Sequence, residues 1–405
     1  MRVERVVPGG EGLARLPDGR TVFVPGGLPG DRIRIDRLDD RGRWGRATAW
    51  TLAAPSPERR APPCRHAERC GGCDWMGWSP EAQRRGKARI VVDAMRRTGG
   101  LEVLEPEVLH AGGEAGWRGR ITLRVGRSGV GFLRRGSHEV VTIDRCMVAT
   151  DAVNEGLAAL VRLGPAPLRG VSTVELRSAP EGASITAVAE GPRRRRPPRG
   201  ALRAIDRALG VADERPRWPF PGGWLEASTG AFTQVHDAAN QLLVAEVCEA
   251  VAELDGVVVD ACCGAGNFSL PLAAAGHRVL AFDVAGPAVE DLKHAAGMQG
   301  LAIECSVGSM ESELGRLAAG AVDVVAVILD PPRRGAKESI PALLELAPAR
   351  VVYVACDPVS LARDARTLLG TGAYGLTSLR CVDMFPNTHH VETVAVFDRI
   401  KARTG

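Results

Sequence analysis

No apolar run in this 405-residue chain approaches the roughly 20 residues that would cross a bilayer, and its N-terminus lacks a signal-like apolar stretch. The expectation is a soluble, cytoplasmic protein with no membrane partner. Lysine is nearly missing, with 4 residues against 48 arginines. That bias fits genomic base composition, but the distribution of charge does not follow from it. Residues 1–220 carry 39 basic against 26 acidic residues, whereas residues 221–405 carry 13 against 22. A basic half joined to an acidic half suggests a polyanion-binding module attached to something else. Ten cysteines without an export signal argue against a disulfide frame and for reduced thiols, metal ligation or catalysis. The length fits two or three domains.

Residues 1–55 alternate apolar and polar positions in short runs, Arg2–Val7, Thr21–Pro25 and Asp31–Asp36, separated by Pro-Gly and Asp-Gly turns. A small antiparallel β-barrel is expected, serving either to bind RNA or to dock. Residues 56–236 read as a mixed α+β central domain. It has a Pro- and Cys-rich opening, a helix from 81 to about 97 with its basic residues outward, and strands between 117 and 146. The run Arg193–Arg196 reads as a solvated loop or a phosphate contact. From 237 to 405 helices and buried strands alternate, as in a doubly wound α/β domain. Its last two strands, 376–382 and 391–397, leave no room for a helix, so one must run antiparallel to the rest.

Asp260-Ala-Cys262-Cys-Gly264-Ala-Gly266-Asn267-Phe follows a strand and opens a helix, and Asp283 ends the next strand 19 residues after Gly264. Small residues admit a ligand to the backbone, and an acid at that place suits ribose hydroxyls. The third glycine of a dinucleotide fingerprint is lacking, because position 269 is Ser. The loop therefore fits S-adenosylmethionine better. Asp330-Pro-Pro-Arg-Arg-Gly closes another strand, where such a loop faces a target base.

Cys356 stands at the lip of the buried strand 350–355 and is followed at once by Asp-Pro. The hairpin returns Glu392 to the same sheet edge, although 36 residues separate the two. A thiol and a carboxylate facing a methyl donor suit C5 methylation of uracil. The thiolate attacks C6, C5 takes the methyl group, a base removes the C5 proton and elimination frees the enzyme. Separately, Cys64-x5-Cys70-Gly-Gly-Cys73 places three thiols within ten residues, with Cys146 the best fourth ligand. Zinc and an iron–sulfur cluster both remain open on ligand count.

On these motifs the chain resembles the RNA uracil-C5 methyltransferase family, specifically its iron–sulfur-bearing ribosomal RNA branch. The resemblance implies an N-terminal TRAM (OB-like) barrel and a C-terminal class I, Rossmann-like methyltransferase domain. It further implies a [4Fe–4S] cluster on Cys64, Cys70, Cys73 and Cys146, with Cys356 as nucleophile and Glu392 as general base. Gln234, in Phe232-Thr-Gln-Val, matches a donor-binding position. So do Asp260, Cys262, Gly264, Gly266, Asn267, Asp283, Ser309 and Asp330. The family usually has Asn at 357, Glu at 283 and an aromatic at 262, so Cys262 removes packing expected on the adenine. The implied substrate is 23S ribosomal RNA, with transfer RNA the alternative, and the implied state is a monomer. A non-catalytic RNA-binding protein is a further alternative that intact Cys356, Glu392 and Asp330 disfavour. A radical enzyme would need CxxxCxxC, which this sequence lacks.

Overall fold

The computed structural model describes residues 1–180, 185–210, 215–320 and 322–400. Five strands near the N-terminus pair in the order Val3–Val6, Gly12–Arg15, Thr21–Val24, Trp44–Ala54, Arg32–Asp40. A bridge between Arg2 and Arg32 closes them into a barrel. Val22 and Val24 alternate inward and meet Val3, Ala14, Ile33 and Ala47 in a small core. The strands Gly12–Arg15 and Trp44–Ala54 add to those expected, and the pair Thr21–Val24 with Trp44–Ala54 is parallel rather than antiparallel.

A second sheet takes its strands in the order Ile185–Glu190, Thr173–Ser178, Arg120–Gly126, Gly129–Leu133, Val140–Thr142, all antiparallel. Helices Asp151–Leu163 and Arg199–Leu209 cover one face through Val153, Leu157, Ala201 and Ile205. The Arg193–Arg196 run is exposed, with Arg193 and Arg194 at positive φ.

The third sheet positions the site. Its eight strands run Ile303–Val307, Arg278–Asp283, Val257–Asp260, Val324–Leu329, Arg350–Ala355, Glu392–Arg399, Tyr374–Val382, Val108–Leu109. Glu392–Arg399 is antiparallel to both of its neighbours, as the missing crossover requires. Alternate side chains of the central strands enter opposite layers. Val257, Val259, Val351 and Tyr353 pack toward helices Ile340–Leu346 and Pro358–Gly370. Val258, Ile328, Val352 and Val354 pack toward helices Asp237–Val251 and Gly286–Gln299. Each such fully buried aliphatic side chain contributes about 1.5–3 kcal/mol.

Besides strand Val108–Leu109, two further segments expected with the central region belong by packing to this sheet. Helix Pro80–Ala94 starts at Ser79, whose hydroxyl accepts the Ala82 N–H, and ends in a π-helical turn Met95–Gly99. It buries Val91, Ala94 and Met95 in the sheet's first layer. Arg85 and Arg89 face solvent, but Lys87 is fully buried. The hairpin Arg217–Phe220/Gly223–Glu226 covers the second layer through Trp218 and Leu225. Among the described residues no helix is long and apolar enough to cross a membrane.

Candidate active site and four-cysteine loop

The parallel strands all end at one edge, where an open α/β sheet receives its ligands. A cleft of about 1620 Å3 lies there, bounded by the sheet edge, the barrel turn at Gly9–Gly10 and the Cys-rich loop at Gly71–Asp74. Cys356 leaves its strand into this cleft because Asp357 caps the next helix, accepting the Val359 and Ser360 N–H groups at 2.8 and 3.2 Å. The ladder pairs Ala355 with Thr393 and Val382 with Glu392. Glu392 therefore faces Cys356 one step beyond the last registered pair. Both line the cleft with Asp330, Arg333 and His390.

Burial pushes the Cys356 thiol up to about 12, with Glu392 and Asp330 adding to the rise and Arg333 opposing it. Glu392, 4% exposed, is raised well above the ordinary carboxylate range by burial and then by Asp330. Asp330 moves to about 7, through burial and the neighbouring Asp260 and Asp283. Arg333, exposed on the motif after Asp330, is thus the nearby cation that favours a thiolate. Arg333→Gln should raise the Cys356 pKa further and lower its thiolate fraction at pH 8. Alkylation of Cys356 by iodoacetamide should then slow severalfold, less so in high salt. An unchanged rate would remove Arg333 from this role.

Of the donor-binding candidates, Gln234, Cys262, Gly264, Asp283, Ser309 and Asp330 line the cleft. Gly264 has a φ of +51° and open space where a Cβ would stand, while its N–H donates to Asp283 Oδ2 at 3.0 Å. Ser309 caps helix Met310–Ala318 by accepting the Ser312 N–H. Asp260, Gly266 and Asn267 stand behind these residues. Asp260 is fully buried and shifted to about 6, mainly by desolvation; its Oδ2 accepts the Ser269 hydroxyl at 2.6 Å. A Cβ on Gly266 would come 2.6 Å from Leu292 Cδ1, so this glycine serves close packing. Asn267 exchanges amide hydrogen bonds with Asn240 and faces a smaller hollow of about 300 Å3 shared with Gln234, Cys262, Gly264 and Asp330.

Cys70 bridges to Arg134, and the Gly71 N–H reaches the Leu133 carbonyl, so the cysteine loop lies against the second sheet, which also leads to Cys146. The thiols of Cys64, Cys70, Cys73 and Cys146 share one neighbourhood. Each of Cys70, Cys73 and Cys146 is raised mainly by burial and secondarily by other members of the set. Among the described residues, no group of three or more His, Cys, Asp or Glu side chains is arranged to hold a metal ion. The donor set nevertheless suits a thiophilic metal group. It consists of soft thiols alone, two of which accept backbone N–H groups (His66 to Cys64 and Gly72 to Cys70, both 3.4 Å). The largely buried Arg118 guanidinium adds a compensating cation beside Cys73 and Cys146.

Sequence reasoning missed the groups that hold the Glu392 approach. Lys87 Nζ donates to Asp383 Oδ1 at 2.5 Å and to the Phe385 carbonyl at 2.9 Å. Gln83 accepts the Asn387 N–H, and Asp74 meets His389. Phe232, 64% exposed beside Gln234, lies under the Arg120 guanidinium at 4.9 Å. Arg333 lies inside the Asp330-Pro-Pro-Arg-Arg-Gly motif, but nothing local in the sequence marked Lys87 or Asp74.

The protein family described as tRNA (Uracil-5-)-methyltransferase matches residues 222–302 and 311–400, and the TRAM domain matches residues 2–47. An uncharacterized RNA methyltransferase of Streptomyces avermitilis is 33% identical, with 97% of this chain and 96% of the relative covered. The 23S rRNA (uracil(1939)-C(5))-methyltransferase RlmD of Pseudomonas entomophila is also 33% identical, over 98% of this chain and 92% of its own length. Among solved structures, the Pyrococcus abyssi tRNA (uracil-54, C5)-methyltransferase in complex with S-adenosyl-L-homocysteine superposes with a TM-score of 0.75. It is 23% identical, covering 98% of this chain and 100% of that one, so the likeness speaks to fold alone.

Proposed function

This chain belongs to the RNA uracil-C5 methyltransferase family, and on that premise we propose that it methylates C5 of a uridine in 23S ribosomal RNA, using S-adenosylmethionine. The observation that carries the reading is Cys356 set opposite Glu392 across adjacent strands, in a cleft also lined by Asp330 and Gly264. Bound S-adenosylmethionine supplies an electrophilic methyl group. Its sulfonium and ammonium charges suit a strand edge carrying Asp260, Asp283 and Asp330. Gln234, Cys262, Gly264, Asp283 and Ser309 would line it, with Asp260, Gly266 and Asn267 holding the loop behind.

Cys356 attacks C6 as the thiolate, forming the C6–S bond and moving electron density onto C5. C5 then takes the methyl group, leaving a thioether on the donor. Glu392 accepts the C5 proton; the electrons of that C–H bond restore the C5–C6 double bond as the C6–S bond breaks and Cys356 departs as thiolate. The uridine must leave its stack to reach both groups, so base flipping is part of the reading. The barrel and the basic central region would hold the RNA backbone. The enzyme would act in the cytoplasm as a monomer.

Cys64, Cys70, Cys73 and Cys146 would hold a [4Fe–4S] cluster with a structural role, since four thiolates leave no iron open to substrate. A brown protein with broad visible absorbance and four irons per chain is expected. A colourless protein with stoichiometric zinc would overturn that assignment. The ribosomal substrate rests on the names of relatives above 30% identity; transfer RNA is the second reading, because the tRNA enzyme shares the fold. Tritium release from C5-tritiated uridine, measured on each RNA separately, tests both. Release from transfer RNA alone would transfer the substrate assignment. Release from neither, with S-adenosylmethionine bound, would end the C5 reading.

A further inference from the structure

Asp74 follows Cys73 directly, and it lines the catalytic cleft. Its Oδ2 stands 2.6 Å from His389 Nδ1, and its Oδ1 accepts the His389 N–H at 3.2 Å. His389 precedes Glu392 by three residues. Glu392 itself enters the ladder opposite Val382, and other anchors of its approach lie further back. Lys87 holds Asp383 and Phe385, Gln83 holds the Asn387 N–H, and the Trp75 N–H donates to the Asn387 carbonyl at 3.0 Å. Asn387 itself sits at φ +68°, so the turn depends on such outside support.

The barrel closes over the same point. Trp75 Nε1 donates to the Gly10 carbonyl at 3.0 Å, and a Cβ on Gly10 (φ +80°) would stand 2.8 Å from His389 Nδ1. Barrel, cysteine loop and the lead-in to Glu392 therefore meet at the Asp74–His389 pair.

We propose that Asp74 is the positioning residue for proton removal from C5: it fixes His389 and so makes the placement of Glu392 depend on an ordered four-cysteine loop. The inference rests on Glu392 being the base. Cys356, on the neighbouring strand, takes its place from the ladder pair Ala355–Thr393 and from the Asp357 cap, neither of which involves Asp74. Loss of the Asp74 contact thus separates the two halves of the reaction. Thiol attack and methyl transfer continue, while deprotonation and release of the enzyme slow.

The test compares Asp74→Ala, Asp74→Asn, Glu392→Gln and Cys73→Ser, using S-adenosylmethionine and whichever C5-tritiated RNA supports release. Asp74→Ala should form the denaturant-resistant enzyme–RNA adduct but release tritium about 100-fold more slowly, the scale of a misplaced catalytic group. Asp74→Asn, which keeps an acceptor for the His389 N–H, should lose less. Hydrogen exchange of amides 388–392 should rise in both Asp74→Ala and Cys73→Ser, a readout that needs no turnover. Equal loss of adduct formation and tritium release in Asp74→Ala, or wild-type behaviour, overturns the proposal. Adduct accumulation in Glu392→Gln beside wild-type Asp74→Ala overturns this inference alone. Absence of adduct in Glu392→Gln overturns the base assignment with it.

Discussion

Cys356→Ala should abolish turnover, by at least about 10^4-fold, while S-adenosylmethionine binds with nearly unchanged affinity. On the proposed mechanism Cys356 cannot be replaced by water or a neighbour, because its bond to C6 would be what makes C5 nucleophilic. The substitution should also leave the fold intact. Cys356 is only half-buried, and its strand is fixed through Ala355–Thr393 and through the Asp357 cap. The proposed donor-lining groups, Gly264 and Asp283, lie at other strand ends of the cleft. Tritium release against calorimetric binding of the donor separates the two effects. Retained release would sink the nucleophile assignment, whereas lost donor binding would show that Cys356 belongs to the donor pocket.

Glu392→Gln should stop the reaction later. Turnover should fall about 10^2- to 10^4-fold, the usual worth of a positioned base, and a covalent enzyme–RNA adduct carrying the new methyl group should accumulate. A denaturing gel with labelled RNA reads this directly; a variant that is equally slow but free of adduct would rule out the assigned role. The same change has a stability consequence of definite sign. Burial and Asp330 raise the Glu392 pKa in the folded state, so the ionised carboxylate opposes folding as pH climbs above the unfolded value of 4.5. The neutral amide escapes that penalty. Glu392→Gln should therefore raise Tm relative to wild type at pH 7 and lose this advantage near pH 4.

The pairing of Cys356 with Glu392 could be read from the chain because it follows from connection length. Nine residues between Val382 and Glu392 cannot hold a crossover, so the strands must return to the same edge. The barrel was legible for a similar reason, in alternating runs closed by glycine turns. Its parallel pair was not, since local alternation carries no direction. Lys87 misled because a basic residue on a basic helix face reads as solvated. Its partner Asp383 stands 296 positions away, beyond any periodicity. Asp74 was hidden in the same way, by a partner 315 positions distant. Ser309 and Asn267 were placed by resemblance, yet one caps a helix and the other pairs with Asn240, roles that only the assembled loops reveal.

The eighth strand, Val108–Leu109, is two residues long, but it decides where the chain can be cut. It pairs with Cys381 and Val382, and backbone bonds from Cys381 to Glu107 and from Asp383 to Leu109 extend the contact to the start of the loop that leads to Glu392. A fragment beginning at residue 237 would contain Cys356, Glu392 and Asp330 and still be incomplete. It would carry a bare sheet border open to pairing with other chains, an exposed patch where Val91, Ala94 and Met95 had packed, and Asp383 with no ammonium group beside it. Helix Pro80–Ala94 and strand Val108–Leu109 thus tie the sheet to the part of the chain that precedes residue 237. The sheet is complete only when the last strands meet Val108–Leu109, far earlier in the chain, which predicts slow, late assembly of the active site during synthesis.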